Sequence, residues 1–156
     1  MDENNSIQLF EDRKIRTVWD EEQEEWYFSV VDVIAVLTDS SNPTDYLKKM
    51  RKRDEQLARY LGTNCPQVAM IGATGKNRKV LAATTEQLLR IIQSIPSPKA
   101  EPFKLWLAQV GRERIEETID PEQAIDRALE TYQKKGYDTD WIHQRLLSIR
   151  VRNELT

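Results

Sequence analysis

The spacing of apolar residues changes period at Val30, and that change constrains the fold more than any other feature of the chain. Upstream, Ile7 and Leu9 flank Gln8, then Ile15, Thr17 and Trp19 alternate with Lys14 and Arg16, and Trp26 and Phe28 run up to Ser29. Alternation of β-branched and aromatic residues with polar ones predicts short strands. From Val30, the residues Val30, Val31, Val33, Ile34 and Leu37 follow helical spacing, and the turn formers Thr38-Asp39-Ser40-Ser41 close the run. A chain that opens with hairpins and continues with helices predicts an α+β fold around a small antiparallel sheet. Between the second and third strands, Asp20 to Glu25 places five carboxylates in six residues. So many ionised groups cannot be buried, which predicts a solvated hairpin tip.

Later segments announce helices by their first residues. Asn42 suits a cap, Pro43 the first helical position, and Asp45 the positive end of the helix dipole. The spacing predicts one helix carrying Tyr46, Leu47, Met50, Leu57 and Leu61 on a single side, and with the helix before it the outline is helix-turn-helix. Gln67 to Ala73 and Arg78 to Ala83 predict a hairpin around Thr74-Gly75-Lys76-Asn77. Thr84 and Gln87 form a capping-box pattern that opens a helix through Leu88, Leu89, Ile91, Ile92 and Ile95, stopped by Pro96. Ser97 and Pro98 start the next helix, where Phe103, Trp106, Leu107 and Val110 recur at core spacing. Asp120-Pro121-Glu122-Gln123 leads through Ile125, Leu129 and Tyr132 to a stop at Gly136, and Asp138 or Thr139 opens a last helix with Trp141, Ile142, Leu146 and Ile149. The expected ending is a helical hairpin. Asn153-Glu154-Leu155-Thr156 carries no stop signal, so the chain reads as the amino-terminal part of a longer polypeptide.

The net charge of -3 conceals segregation. Residues 1–42 hold three basic and eleven acidic side chains, residues 43–100 eleven and four, and residues 101–156 nine and eleven. A basic middle in an acidic protein is a directional surface for an anionic partner. Two elements carry it. Lys48, Lys49, Arg51, Lys52 and Arg53 spread over the arc of the second helix away from Leu47, with Asp45, Asp54 and Glu55 as candidate local ion-pair partners. Three carboxylates cannot neutralise five cations. The hairpin contributes Lys76, Arg78 and Lys79, with Asn77 between them.

Other chemistry is poorly supported. One Cys, Cys65, and one His, His143, cannot build a four-ligand zinc site or a disulfide framework, so neither a metal nor a cofactor is expected. Gly72-Ala73-Thr74-Gly75-Lys76 has two residues between its glycines where a phosphate loop needs four, and Asn77 stands where that loop needs Ser or Thr. A nuclease would draw on Glu11, Asp12 and Lys14, beside an acidic tip that repels DNA. No catalytic residue is predicted. The acidic start and the five-residue apolar run Val33 to Leu37 indicate neither export nor a membrane span, so the expected location is the cytoplasm.

Trp26-Tyr27-Phe28-Ser29-Val30-Val31-Asp32-Val33, the capped basic helix, and Phe103-Lys104-Leu105-Trp106-Leu107 together resemble the amino-terminal BRO domain of baculovirus repeated proteins and of phage or prophage antirepressors. The resemblance covers about residues 6–117. It implies an α+β DNA-binding domain in transcriptional or prophage control. Asp32, although part of that motif, reads from its own position as a helix-start or hydrogen-bonded structural carboxylate and not a catalyst. The remainder, residues 118–156, including Lys135-Gly136-Tyr137 and Trp141-Ile142, is similar to a helical extension in bacterial relatives of DNA-damage-inducible protein D. Two stretches depart from the family's pattern. Val110-Gly111-Arg112-Glu113 stands where many members have Leu-Pro, which predicts a helix that continues. Lys79-Val80-Leu81-Ala82-Ala83 replaces a Gly-Leu-Tyr step.

The expected function is a regulator that binds duplex DNA through Lys48, Lys49, Arg51, Lys52, Arg53, Lys76, Arg78 and Lys79, with Asn77 or an Arg reading base edges. The alternative is an antirepressor that docks on a repressor protein without touching DNA. The carboxy-terminal helices are the candidate surface for self-association in either case.

Overall fold

A computed structural model describes residues 12 and 14–155. Its fold is α+β, a curled four-stranded antiparallel sheet with seven α-helices among the described residues. The elements are β1 (Thr17–Asp20), β2 (Glu25–Ser29), α1 (Val30–Thr38), α2 (Pro43–Arg53), α3 (Glu55–Asn64), β3 (Gln67–Ile71), β4 (Asn77–Ala83), α4 (Thr85–Ile92), α5 (Glu101–Ile119), α6 (Glu122–Lys134) and α7 (Thr139–Leu155). A 3₁₀ turn at Pro98–Ala100 precedes α5. The predicted strand at Ile7 and Leu9 lies outside the described residues. Contacts divide the chain into two compact units, Met1–Leu107 and Ala108–Thr156, with the division inside α5.

In the first unit the strand order is β1-β2-β4-β3. Among the described residues, the strands of hairpins β1–β2 and β3–β4 pair only where Phe28 faces Ala83 and Ser29 faces Ala82. Because β2 and β4 are antiparallel and each runs from its hairpin's tip toward this meeting point, the two tips project in opposite directions. Three residues separate Glu25 from Phe28 and six separate Ala83 from Asn77, so at ~3.3 Å per residue the acidic and basic ends stand on the order of 30 Å apart along the strands.

The side-chain alternation sorts the sheet's two faces. Phe28 and Ala83 join the main core with Val30, Val33, Ile34 and Leu37 of α1, Leu47 and Met50 of α2, Leu57 and Leu61 of α3, and Phe103 of α5. Tyr27, Met70 and Ala82 form a smaller cluster on the other face, inside the curl, with Val18, Val68 and Val80. The Tyr27 hydroxyl donates to Gln23 Oε1 at 2.8 Å.

Several expectations need correction. The basic helix is not continuous. It ends at Arg53, and Asp54, extended at φ -125°, accepts the Leu57 amide on its carboxylate at 3.0 Å and so starts α3. Leu57 and Leu61 therefore lie on a separate helix, with the core spacing preserved because both helices face the same apolar cluster. The second hairpin is shorter in β3 and starts β4 one residue earlier than expected, which leaves residues 72–76 as the loop, with Gly75 at φ +81°. The capping box of α4 forms in both directions between Thr84 and Gln87, but that helix ends at Ile92 and Ile95 is buried beyond it. Val110 is exposed, not core, since α5 continues past Gly111 to Ile119 as an unbroken helix.

The second unit is helical. Gly136 at φ +84° ends α6 with paired backbone bonds, from its own amide to Gln133 O and from the Tyr137 amide to Tyr132 O. Tyr132, Tyr137 and Trp141 then cluster, with Tyr137 stacked on Trp141 at 4.5 Å between ring centres. Arg127 pairs with Glu117, joining α6 to α5. Ile142 is fully buried, yet Ile115, Ile119 and Ile125 are exposed, contrary to the core position expected of Ile125. No helix among the described residues is long and apolar enough to cross a membrane.

Candidate nucleic-acid interface

The start of α2 is built by its first residues. Asn42 Oδ1 accepts the Asp45 amide at 3.1 Å, Pro43 occupies the first helical position, and Arg51, Lys52 and Arg53 fill the last turn, where the helix dipole favours cations. Leu47 and Met50 turn into the core, which leaves Lys48, Lys49, Arg51, Lys52 and Arg53 exposed. Helix α1 stands before it, with residues 39–42 between them, and the turn is fixed by Asp39 in the left-handed region at φ 55° and by its ion pair with Lys99 at 2.6 Å.

The predicted neutralising carboxylates are mostly engaged elsewhere. Only Asp45 pairs with a site cation, Lys49, at 3.2 Å. Asp54 caps α3 and Glu55 pairs with Arg59 at 3.1 Å. Lys48, Arg51, Lys52 and Arg53 thus have no carboxylate within ion-pair distance among the described residues, and the exposed Lys49–Asp45 pair is worth ~0.5 kcal/mol or less. The Arg51 charge reaches Cys65, two residues before β3. Burial raises the pKa of that thiol and Arg51 partly opposes the rise.

That hairpin is a basic ribbon. Asn77 pairs with Ile71, Arg78 with Met70 and Lys79 with Ala69. By alternation, Arg78 projects from the face that carries Met70 and Val80, while Asn77 and Lys79 project from the opposite face. Lys76 sits in the loop, whose Gly72 amide donates to Lys76 O at 2.8 Å. All four side chains are exposed, and the three cations have no carboxylate partner among the described residues. The nine predicted residues thus fall into two sets, five on α2 and four on the ribbon.

Along the strands the acidic tip is at the far end, ~30 Å from Asn77. The curl of the sheet nevertheless brings Asp20 to Gln23 against Pro66 and Val68 at the base of the ribbon, around one cavity.

Sequence reasoning missed Arg16. Its Nε donates to Asp32 Oδ2 at 2.7 Å, its Nη2 to Asp32 Oδ1 at 3.0 Å, and its backbone amide to Asp32 Oδ2 at 2.9 Å. These bonds raise the guanidinium's pKa further, against the opposing effect of burial. Asp32 is therefore the structural carboxylate of the first turn of α1. An ionisable residue inside Val30-Val31-Asp32-Val33 was the available signal, but nothing local named a partner sixteen positions away. Of the nuclease candidates, Asp12 Oδ1 accepts the Lys14 amide at 2.9 Å, and Glu11 lies outside the described residues.

Residues 14–113 match the family model described as BRO family, N-terminal domain. Searches of curated proteins and of solved structures gave no match.

Proposed function

The chain belongs to the BRO family by this amino-terminal domain, and on that premise we propose that it is a DNA-binding transcriptional regulator of the prophage antirepressor type. The binding domain is residues 6–117, and residues 118–156 form an appended helical extension. The observation that carries the reading is the set of cations on α2 and on the β3–β4 ribbon that lack carboxylate partners among the described residues. Phosphates neutralise what the fold leaves unpaired, and counterion release supplies the driving force. A two-stranded ribbon with cations on both faces suits a groove, where either wall meets a positive side chain.

A salt titration of duplex binding tests this. With about five phosphates neutralised, log affinity falls against log salt with a slope of roughly -4 to -5. A Lys48, Lys49, Lys52→Ala triple variant lowers the magnitude by about 2.7, and a Lys76, Lys79→Ala variant by about 1.8. Binding that ignores salt overturns the proposal.

Exposure of Ile115 and Ile119, 65% and 82%, favours a second reading in which the end of α5, where the extension begins, captures a repressor protein. Co-precipitation that survives nuclease treatment and is lost in Ile115→Glu/Ile119→Glu supports it. Capture that nuclease abolishes excludes it.

A further inference from the structure

The outer part of the basic ribbon has little to hold it. Pairing of β2 with β4 ends at Ser29–Ala82, so Asn77 to Lys79 and their partners Ala69 to Ile71 extend beyond the last neighbouring strand. Isolated two-stranded ribbons are marginal and strongly twisted, so nothing intrinsic to this one fixes its direction. Met70 is buried in the smaller apolar cluster and anchors the middle. Past Met70, the one hydrogen bond from outside the ribbon, among the described residues, is from Arg16 Nη1 to the carbonyl oxygen of Ile71, at 3.1 Å.

Ile71 is the last residue of β3, next to the loop that carries Lys76. The guanidinium that reaches it is held on its other edge by both oxygens of Asp32, and Nη2 also donates to Ser29 Oγ at 3.4 Å. A planar fork bound bidentately to a carboxylate has its orientation set, so the remaining arm points in one direction only. Asp32 belongs to the first turn of α1, and α1 shares the main core with Leu47 and Met50 of α2. One side chain therefore connects the outermost rung of the ribbon to the helix that supports the other cation set.

Resting on the duplex-binding reading above, we infer that Arg16 is a positioning residue that sets the angle of the basic ribbon to α1, and so holds the ribbon cations and the α2 cations in one fixed arrangement for a single polyanion. Pre-set geometry lowers the ordering cost of binding. Lysine cannot substitute, because an ammonium is a point donor on a flexible stem and cannot grip Asp32 and reach Ile71 with fixed angles. Arg16→Lys thus keeps the charge while removing the geometry.

Two measurements on the full chain test the inference. In a Cys65→Ser background, nitroxides at Thr44→Cys on α2 and Thr74→Cys in the ribbon loop report the distance between the two elements by pulsed dipolar spectroscopy. The distribution is expected to be narrow with Arg16 present and to broaden in Arg16→Lys and, independently, in Asp32→Asn, with the helical circular dichroism of all three alike. An unchanged width in both variants overturns the inference, with or without DNA. In the second measurement, Lys76, Arg78, Lys79→Ala reduces the magnitude of the salt slope by about 2.7 in the parent and by distinctly less in Arg16→Lys, which itself weakens duplex binding roughly tenfold. Equal reductions in the two backgrounds also overturn it. If the parent fails to bind duplex while the distances still broaden, the DNA reading falls and the positioning role of Arg16 stands.

Discussion

Tyr27 shows how one residue couples burial to charge. Its ring is buried in the curl of the sheet, and its phenol has a pKa raised above the ordinary 10.0, first by burial and then by the carboxylates of Asp20 and Glu25. An acid whose folded pKa exceeds its unfolded value holds its proton longer in the folded state. Its contribution to stability is complete below pH ~10, the unfolded value, and is lost as pH rises through the folded one. Thermal midpoints measured from pH 8 to 11 should therefore fall less steeply in Tyr27→Phe than in the parent, although the variant starts lower for want of the bond to Gln23. Identical limbs would mean that other groups govern the alkaline transition. Gly136 gives a second prediction at this scale. At φ +84° with open space around its α-carbon, Gly136→Ala meets backbone strain and no clash, and should cost about 1 kcal/mol in denaturant unfolding. The role of Asp32 was legible in the sequence as a structural carboxylate. Its partner was not, because hydrogen bonds between residues 16 and 32 are made by the fold and leave no periodic trace.

Among elements, what was legible was local. The starts of α2 and α4 were written in Asn42-Pro43 and Thr84-Gln87 because a cap acts within one turn. The break at Asp54 was hidden, since Asp is tolerated within a helix and Leu57 and Leu61 keep the expected spacing on the far side. Asp54→Ala removes the acceptor for the Leu57 amide and should cost ~1 kcal/mol, read as a lower urea midpoint at constant slope. A neutral outcome would show that the break is set by packing of α3 alone. The candidate cations were legible individually as unburied charge. Which of them would find a carboxylate was not, because Asp54 and Glu55 had the right spacing to pair with the basic helix and were recruited to α3 instead.

For the first unit as a whole, the opposed hairpins separate charge along the sheet. Sequence showed the two signs of charge but not their placement, which depends on β2 pairing with β4 and not on any local pattern. Replacing Glu21, Glu22 and Glu24 by Gln should leave the association rate with duplex unchanged at 0.15 M salt, where the Debye length is about 8 Å, and raise it at 0.01 M, where it is about 30 Å. Stopped-flow rates at the two concentrations check this. A strong effect at the higher salt would place the acidic hairpin next to the binding surface.

The two rungs that join the hairpins are few but deeply placed, with Ser29, Ala82 and Ala83 wholly shielded from water. Their amides can meet solvent only when the entire core opens, whereas the outlying rungs on either side can fray on their own. The sheet is thus a hub whose outer rungs open before it does, and loosening either tip should leave the hub closed.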